Sequence, residues 1–282
     1  MKTFQRKPFQ DEYGVEFSTC GDVTTLTRMP KDFKGAYRIP DFVTNLGIGA
    51  INGCNELTSI TIPNSLTDIG KDNFELCEQL TEMIVDPANP MFDSRDNCNA
   101  IIVTSTNTLV QGCNGSTIPN GIEVIADYAF SQRRNLSHIT IPDSVVYIGE
   151  FAFLCCFSLE NDFQLQDIRQ VSRCCFDGCS QLKSVIIGSG IETIEPHAFA
   201  GCSLLTQVNM AEGLETIENG AFADCISLSS ITLPQSLKEI EPDAFQNCNS
   251  LRQILIPHGT TNHFSRFIAL KQYRHRLIEL SK

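Results

Sequence analysis

Thirteen cysteines and five histidines are the residues of this chain best suited to chemistry, and their spacing limits what they can do. A zinc site needs Cys or His ligands converging in fours, yet no C-x-x-C pair stands near a second one and histidines are few. His138, His197, His258, His263 and His275 fall in separate segments, with no nucleophile or carboxylate at a predictable distance. Gly188-Ser189-Gly190 precedes no helical stretch carrying Lys or Thr, so it reads as a turn and not as a phosphate loop. An enzyme, a metal site and a bound cofactor are therefore not expected.

The cysteines do have an order. Cys54 and Cys77 lie 23 residues apart, and Cys156, Cys179, Cys202, Cys225 and Cys248 repeat the same step. Leucine keeps it at Leu57 and Leu80 and again from Leu136 to Leu251, and phenylalanine keeps it from Phe130 to Phe245. A fixed short period of this kind means stacked coils, each burying its apolar face against its neighbours. Side chains one coil apart have Cβ atoms about 4.8 Å from each other, beyond the range of about 3.5–4.5 Å that a disulfide uses. The seven ladder cysteines are thus expected as free, buried thiols. Cys155-Cys156 and Cys174-Cys175 sit in successive coils, where a local bridge or plain small-residue packing would both fit. Cys20 and Cys98 fall in predicted turns and are the expected exposed thiols.

The unit reads A-F-x-x-C-x-x-L-x-x-I-x-I-P-x-x-L-x-x-I, clearest from Ala221 to Ile240. Ile231 and Leu233 alternate with Ser230 and Thr232, the period of a strand with one buried face. Pro234 ends that strand, because it can donate no ladder hydrogen bond. Stacking one strand per coil predicts a parallel sheet. Between Phe74 and Phe130 the gap is 56 residues, one period plus 33, so an insert is expected at about 87–116, built of two or three short strands. Val15–Ser18 and Thr24–Thr27 flank a Cys-Gly-Asp turn and predict a β-hairpin cap over the first coil. Phe264, Phe267, Ile268, Leu270, Tyr273, Leu277 and Ile278 have helical spacing and predict a C-terminal cap helix. The expectation is an α/β, strand-rich solenoid in a single domain, 1–282. Its cap occupies 1–36, its repeats 37–261 and its closing helix 262–282.

Segments such as Leu136 to Gly149 (LSHITIPDSVVYIG), with the insert from Asn89 to Ala100, resemble the BspA-like branch of leucine-rich repeat proteins. The likeness covers nearly the whole chain. It implies a bacterial surface or secreted protein that binds a host protein or another partner, adhesin-like and non-catalytic. A fold this widely shared does not itself decide a function.

Charge points the same way. A net charge of −12 argues against nucleic acid as a partner. The one basic stretch is 262–282, where Arg266, Lys271, Arg274, Arg276 and Lys282 face a single acid, Glu279. No apolar run reaches the length of a membrane span, and Met1–Pro8 leads into no apolar stretch, so no signal peptide is legible. The cytoplasm therefore stays open beside the cell surface as a location.

Candidate contact residues follow from the strand register. The outward positions Ser59, Thr61, His138, Thr140, Ser184, Gln207, Asn209, Ser230, Thr232 and Gln253 make a mostly uncharged polar face for a protein or glycan ligand. The alternatives are a structural spacer or scaffold, and a carbohydrate-binding module for which only Phe163 could supply an aromatic platform. One coil departs from the pattern: Asp162 stands where Ile belongs, and a bulge turning Phe163 or Leu165 inward would reconcile it.

Overall fold

Alternation of apolar and polar residues becomes short parallel strands in most of the coils. The computed structural model describes residues 7–166 and 168–281; Lys282, the last of the basic C-terminal residues, lies outside them, as do residues 1–6 of the cap. The chain divides into two compact units, 1–119 and 120–282.

The first unit begins with the cap. Lys7–Gln10, Glu16–Cys20 and Val23–Arg28 form an antiparallel meander, one strand more than the expected hairpin. Val15, Phe17 and Leu26 turn inward from it. Its last strand then pairs in parallel with Asn45–Leu46, which pairs with Asp68–Ile69, so the cap satisfies the edge of the first coil. A second parallel sheet joins Lys34–Arg38, Glu56–Ile62 and Glu82–Val85. The insert is an antiparallel set, Phe92–Asp93, Ala100–Val103 and Thr108–Gly112. Polar side chains tie it down. Ser94 Oγ accepts the Val85 N–H at 2.9 Å, and Asn89 Nδ2 donates to the carbonyls of Pro63 and Leu66.

Three inter-coil ladders hold the second unit. One is the strand face: Asp162–Leu165, Ser184–Ile187 and Gln207–Met210 form one sheet, and Ser230–Thr232, Gln253–Ile256 and Leu277–Glu279 another. A second ladder runs through Gln170–Val171, Thr193–Ile194, Thr216–Ile217 and Glu239–Ile240. The third belongs to the Ala-Phe segment. Phe153, Phe176, Phe199 and Phe222 each donate their N–H at 2.8 Å to the residue before the next coil's Phe. Ala suits that accepting position, since its Cβ lets the backbones meet. The residues flanking the segment, Phe151, Cys174 and His197 on one side and Cys155, Asp224 and Asn247 on the other, have positive φ between 50° and 59°. That turns their N–H groups toward the next coil.

Inside, the phenyl rings from Phe130 to Phe245 stack with centroids 5.1–5.7 Å apart and planes within 8°. The ladder thiols point the other way. Cys156, Cys179, Cys202, Cys225 and Cys248 donate to the carbonyls of Phe130, Phe153, Phe176, Phe199 and Phe222 at 3.0–3.3 Å. All thirteen cysteines are free.

Two expectations need correction. The C-terminal segment is not one cap helix: it is a single α-turn, Thr261–Phe264, a 3-10 stretch, Ile268–Arg276, and the strand Leu277–Glu279. Leu277 pairs with Ile254, 23 residues earlier, so the segment follows the path of one more coil. Tyr273 donates its hydroxyl to the Phe245 carbonyl at 3.1 Å, the acceptor a ladder thiol would take. Cys98 is not exposed either. It is fully buried because the 3-10 turn Arg95–Asn97 folds it back, with its Sγ donating to Ala100.

Candidate functional site

In unit 1, Ser59 and Thr61 lie half-buried on Glu56–Ile62, and Ser59 Oγ donates to the Glu82 carboxylate at 2.7 Å. In unit 2, Ser184 and Ser230 are half-buried, while Gln207, Asn209, Thr232 and Gln253 are exposed. Ser184 Oγ donates to Asp162 at 2.6 Å. The exposed four make no side-chain hydrogen bond among the described residues. The strands that carry them are neighbours, though not all are joined by backbone bonds. No backbone ladder joins Gln207–Met210 to Ser230–Thr232 among the described residues, so Asn209 and Thr232 belong to neighbouring sheets.

His138 and Thr140 are exposed but stand on no assigned strand, although their coil matches the repeat well. The cause is the irregular coil that follows. Phe163 and Leu165 both turn inward, at 3 % and 2 % exposure, and pair with Val185 and Ile187, only 22 residues on. The coil keeps its 23-residue length, but its strand starts one position late, and Asn161 fills the extra position ahead of it. Its buried amide brackets Ile139: Oδ1 accepts the Ile139 N–H at 2.9 Å and Nδ2 donates to the Ile139 carbonyl. A side chain thus occupies the backbone groups that a neighbouring strand would take.

Past Asn161 the coils part. Thr140 and Ile141 make no backbone hydrogen bond to Asp162–Leu165 among the described residues, and Tyr147–Ile148 does not pair with Gln170–Val171. Among the described residues both strand ladders lack backbone bonds along this seam, and across the second one Ser172 Oγ donates to the Ile148 carbonyl. The Ala-Phe ladder stays closed, through Phe151 to Arg173, Phe153 to Cys175 and Cys155 to Asp177 at 2.7–3.0 Å. The opening is a groove of about 460 Å³ walled by His138, Thr140, Asp143, Glu160, Asp162 and Gln164. A smaller gap of about 20 Å³ continues beside it toward Val145, Ile148 and Ile168.

Sequence reasoning missed one cluster. His197 does have a carboxylate beside it, because Asp177 comes from the preceding coil and feels the imidazole. Cys174 lies near the same carboxylate. The arrangement does not make a nucleophile. Burial first, and then Asp177, push the Cys174 thiol up to about 11, so it stays protonated. Among the described residues no three His, Cys, Asp or Glu side chains are grouped to hold a metal ion. On the second ladder Glu218 lies with Glu195 and Glu241 before and after it; partial burial and these neighbours raise its carboxyl. No described helix is long and apolar enough to cross a membrane.

The repeats match the model of the BspA type leucine-rich repeat region in six copies, over residues 36–110, 110–212 and 169–271. Among solved structures, a leucine-rich repeat protein from Eubacterium ventriosum is 26% identical with a TM-score of 0.59, over 76% of this chain. This chain spans 64% of that protein. The pneumococcal vaccine antigen PcpA is 14% identical with a TM-score of 0.62, over 98% of this chain and 99% of its own, a likeness of fold alone. No curated protein matches the sequence. With repeat matches over most of its length, stacked parallel strands and buried Phe and Cys ladders, this chain belongs to the BspA-type leucine-rich repeat family.

Proposed function

We propose that the protein is a non-catalytic binding protein, adhesin-like and acting at the bacterial surface or beyond, that holds a partner protein on its outward strand positions. The observation that carries this reading is the set of exposed polar side chains, Gln207, Asn209, Thr232 and Gln253, that are spent on no internal hydrogen bond. Repeat proteins of this family generally engage other proteins, and a coil-by-coil surface offers many shallow contacts in place of one enclosed pocket. The carbohydrate-binding reading loses its support, because Phe163, the one aromatic ring it could use on this face, is buried. The location follows the family resemblance.

The test is a binding comparison with immobilised protein and surface proteins of cells sharing its habitat. Asn209→Arg with Thr232→Arg adds bulk and charge at exposed positions that tolerate substitution. A specific partner should lose tenfold or more of its binding to the double variant while the unfolding midpoint stays put. A partner held equally well by both would move the contact surface off the strand face. No partner at all would favour a spacer or scaffold, and a turnover activity abolished by one substitution would count against the whole reading.

A further inference from the structure

The seam at the irregular coil goes beyond a general contact face. A sheet edge inside a repeat array is normally consumed by the next coil, because unpaired N–H and C=O groups attract another chain. Here, among the described residues, the edge of Asp162–Leu165 is left free along a groove of about 460 Å³. Other lapses in the strand ladder do not do this. Between Gln207–Met210 and Ser230–Thr232 the strand ladder also lapses, but there the second ladder is continuous from Thr193–Ile194 to Glu239–Ile240. Within the second unit, and among the described residues, both ladders are open only at the seam after Ile139 while the Ala-Phe ladder stays bonded there.

Charge then selects the occupant. Asp143, Glu160 and Asp162 wall the groove and are exposed, and no Lys or Arg lines it. Glu160 is partly answered by Lys183 at 3.4 Å, and Asp162 by the Ser184 hydroxyl; Asp143 has no ion-pair partner among the described residues. The chain as a whole carries −12. The gap beside the acids, between Ile141, Val145 and Leu165, has room for about one water. An acidic rim along a free strand edge matches an extended polypeptide with basic side chains.

We propose that this seam binds an extended basic segment of a partner protein, added as a strand along Asp162–Leu165 with its cations against Asp143, Glu160 and Asp162. The proposal rests on the binding-protein reading above and names the site and chemistry of one contact.

The probe is a fluorescein-labelled heptapeptide, Lys-Val-Lys-Thr-Lys-Val-Lys, followed by fluorescence anisotropy in 20 mM and 150 mM salt. Two companions share its length: an all-Glu version of the charged positions, and a version N-methylated at alternate residues that keeps the charge but cannot donate along one edge. Saturable binding at least tenfold tighter for the unmodified peptide than for either companion is expected. Asp143→Lys with Asp162→Lys, both at exposed positions, should weaken it tenfold or more, while Asn209→Arg with Thr232→Arg should leave it unchanged. Hydrogen exchange at residues 139–141 and 162–165 should slow when the peptide is added. Equal affinity for the N-methylated peptide would mean charge attraction without strand addition and would overturn the proposal. So would the absence of saturable binding in 20 mM salt. A concentration-dependent dimer whose assembly the Asp variants block would assign the edge to a second copy of this chain, also overturning it. Failure here leaves the partner comparison on Asn209 and Thr232 standing, so the two readings fail separately.

Discussion

At the residue scale, the ladder cysteines are packing groups with one weak directional bond each. Cys202 is fully buried, and its Sγ–H donates to Phe176 at 3.3 Å. Cys202→Ala should therefore cost on the order of 1 kcal/mol in a urea titration, from lost volume and the weaker of the two bonds that the Phe176 carbonyl accepts, its other donor being the Cys179 N–H. The thiols also set a pH dependence. Burial raises Cys54 and Cys248 above the ordinary 9.0, to about 12. The native chain then keeps protons that the unfolded chain releases. Stability from this source is complete below pH 9 and falls as pH rises from 9 toward 12. Urea midpoints at pH 7, 9.5 and 10.5 should decline in that order, and equal midpoints would show that the ladder is not buried. Thiol titration after unfolding in denaturant should find all thirteen cysteines reactive, with Cys20, the one exposed thiol, reacting first in the native protein.

At the element scale, the left-handed positions flanking the Ala-Phe segment are the cheapest place to gain stability. Asp224 has φ 59° and is exposed, while the same position of the two preceding coils is glycine, Gly178 and Gly201. Glycine adopts this conformation without a Cβ penalty, so Asp224→Gly should raise stability by about 0.5 kcal/mol, net of the exposed bond from Asn247. The opposite holds where backbones touch. A Cβ on Gly149 would lie 2.4 Å from the Asp127 backbone nitrogen, so Gly149→Ala should destabilise by about 2 kcal/mol in the same assay. Asn161→Ala removes both bonds to Ile139 and leaves two backbone groups unanswered, a loss of about 2 kcal/mol.

At the scale of the whole molecule, the acidic balance outweighs the basic C-terminal stretch. There, Arg276 stacks over Tyr273 and donates to the Leu251 carbonyl, so this cation is committed to closing the last coil. Glu279 bonds to Thr261 and Gly259, which holds its carboxyl below the usual range. A fluorescent DNA duplex should accordingly show no saturable anisotropy change in 50 mM salt. Saturable binding with a steep salt dependence would show a cationic surface that the charge balance does not suggest.

The 23-residue period by itself determined the repeat, the strand in most coils, the insert and the buried Phe and Cys ladders, because each coil meets only its neighbours and every fixed position answers to one local contact. The inward turn of Phe163 and Leu165 was also legible, since a misplaced Asp162 can stay in water only if the alternation slips by one residue. What Asn161 does was not. Its amide meets Ile139 from the preceding coil, 22 residues away, and nothing in its own sequence neighbourhood signals that partner. The same limit hid the Cys174, Asp177 and His197 cluster, which two adjacent coils assemble. It also turned an apolar spacing resembling a helix into a last coil, because the open edge of Gln253–Ile256 offers Leu277–Glu279 a ladder of backbone bonds that a helix would leave unmade. Contacts within one coil are written in the period; contacts between irregular coils exist only once the chain has stacked.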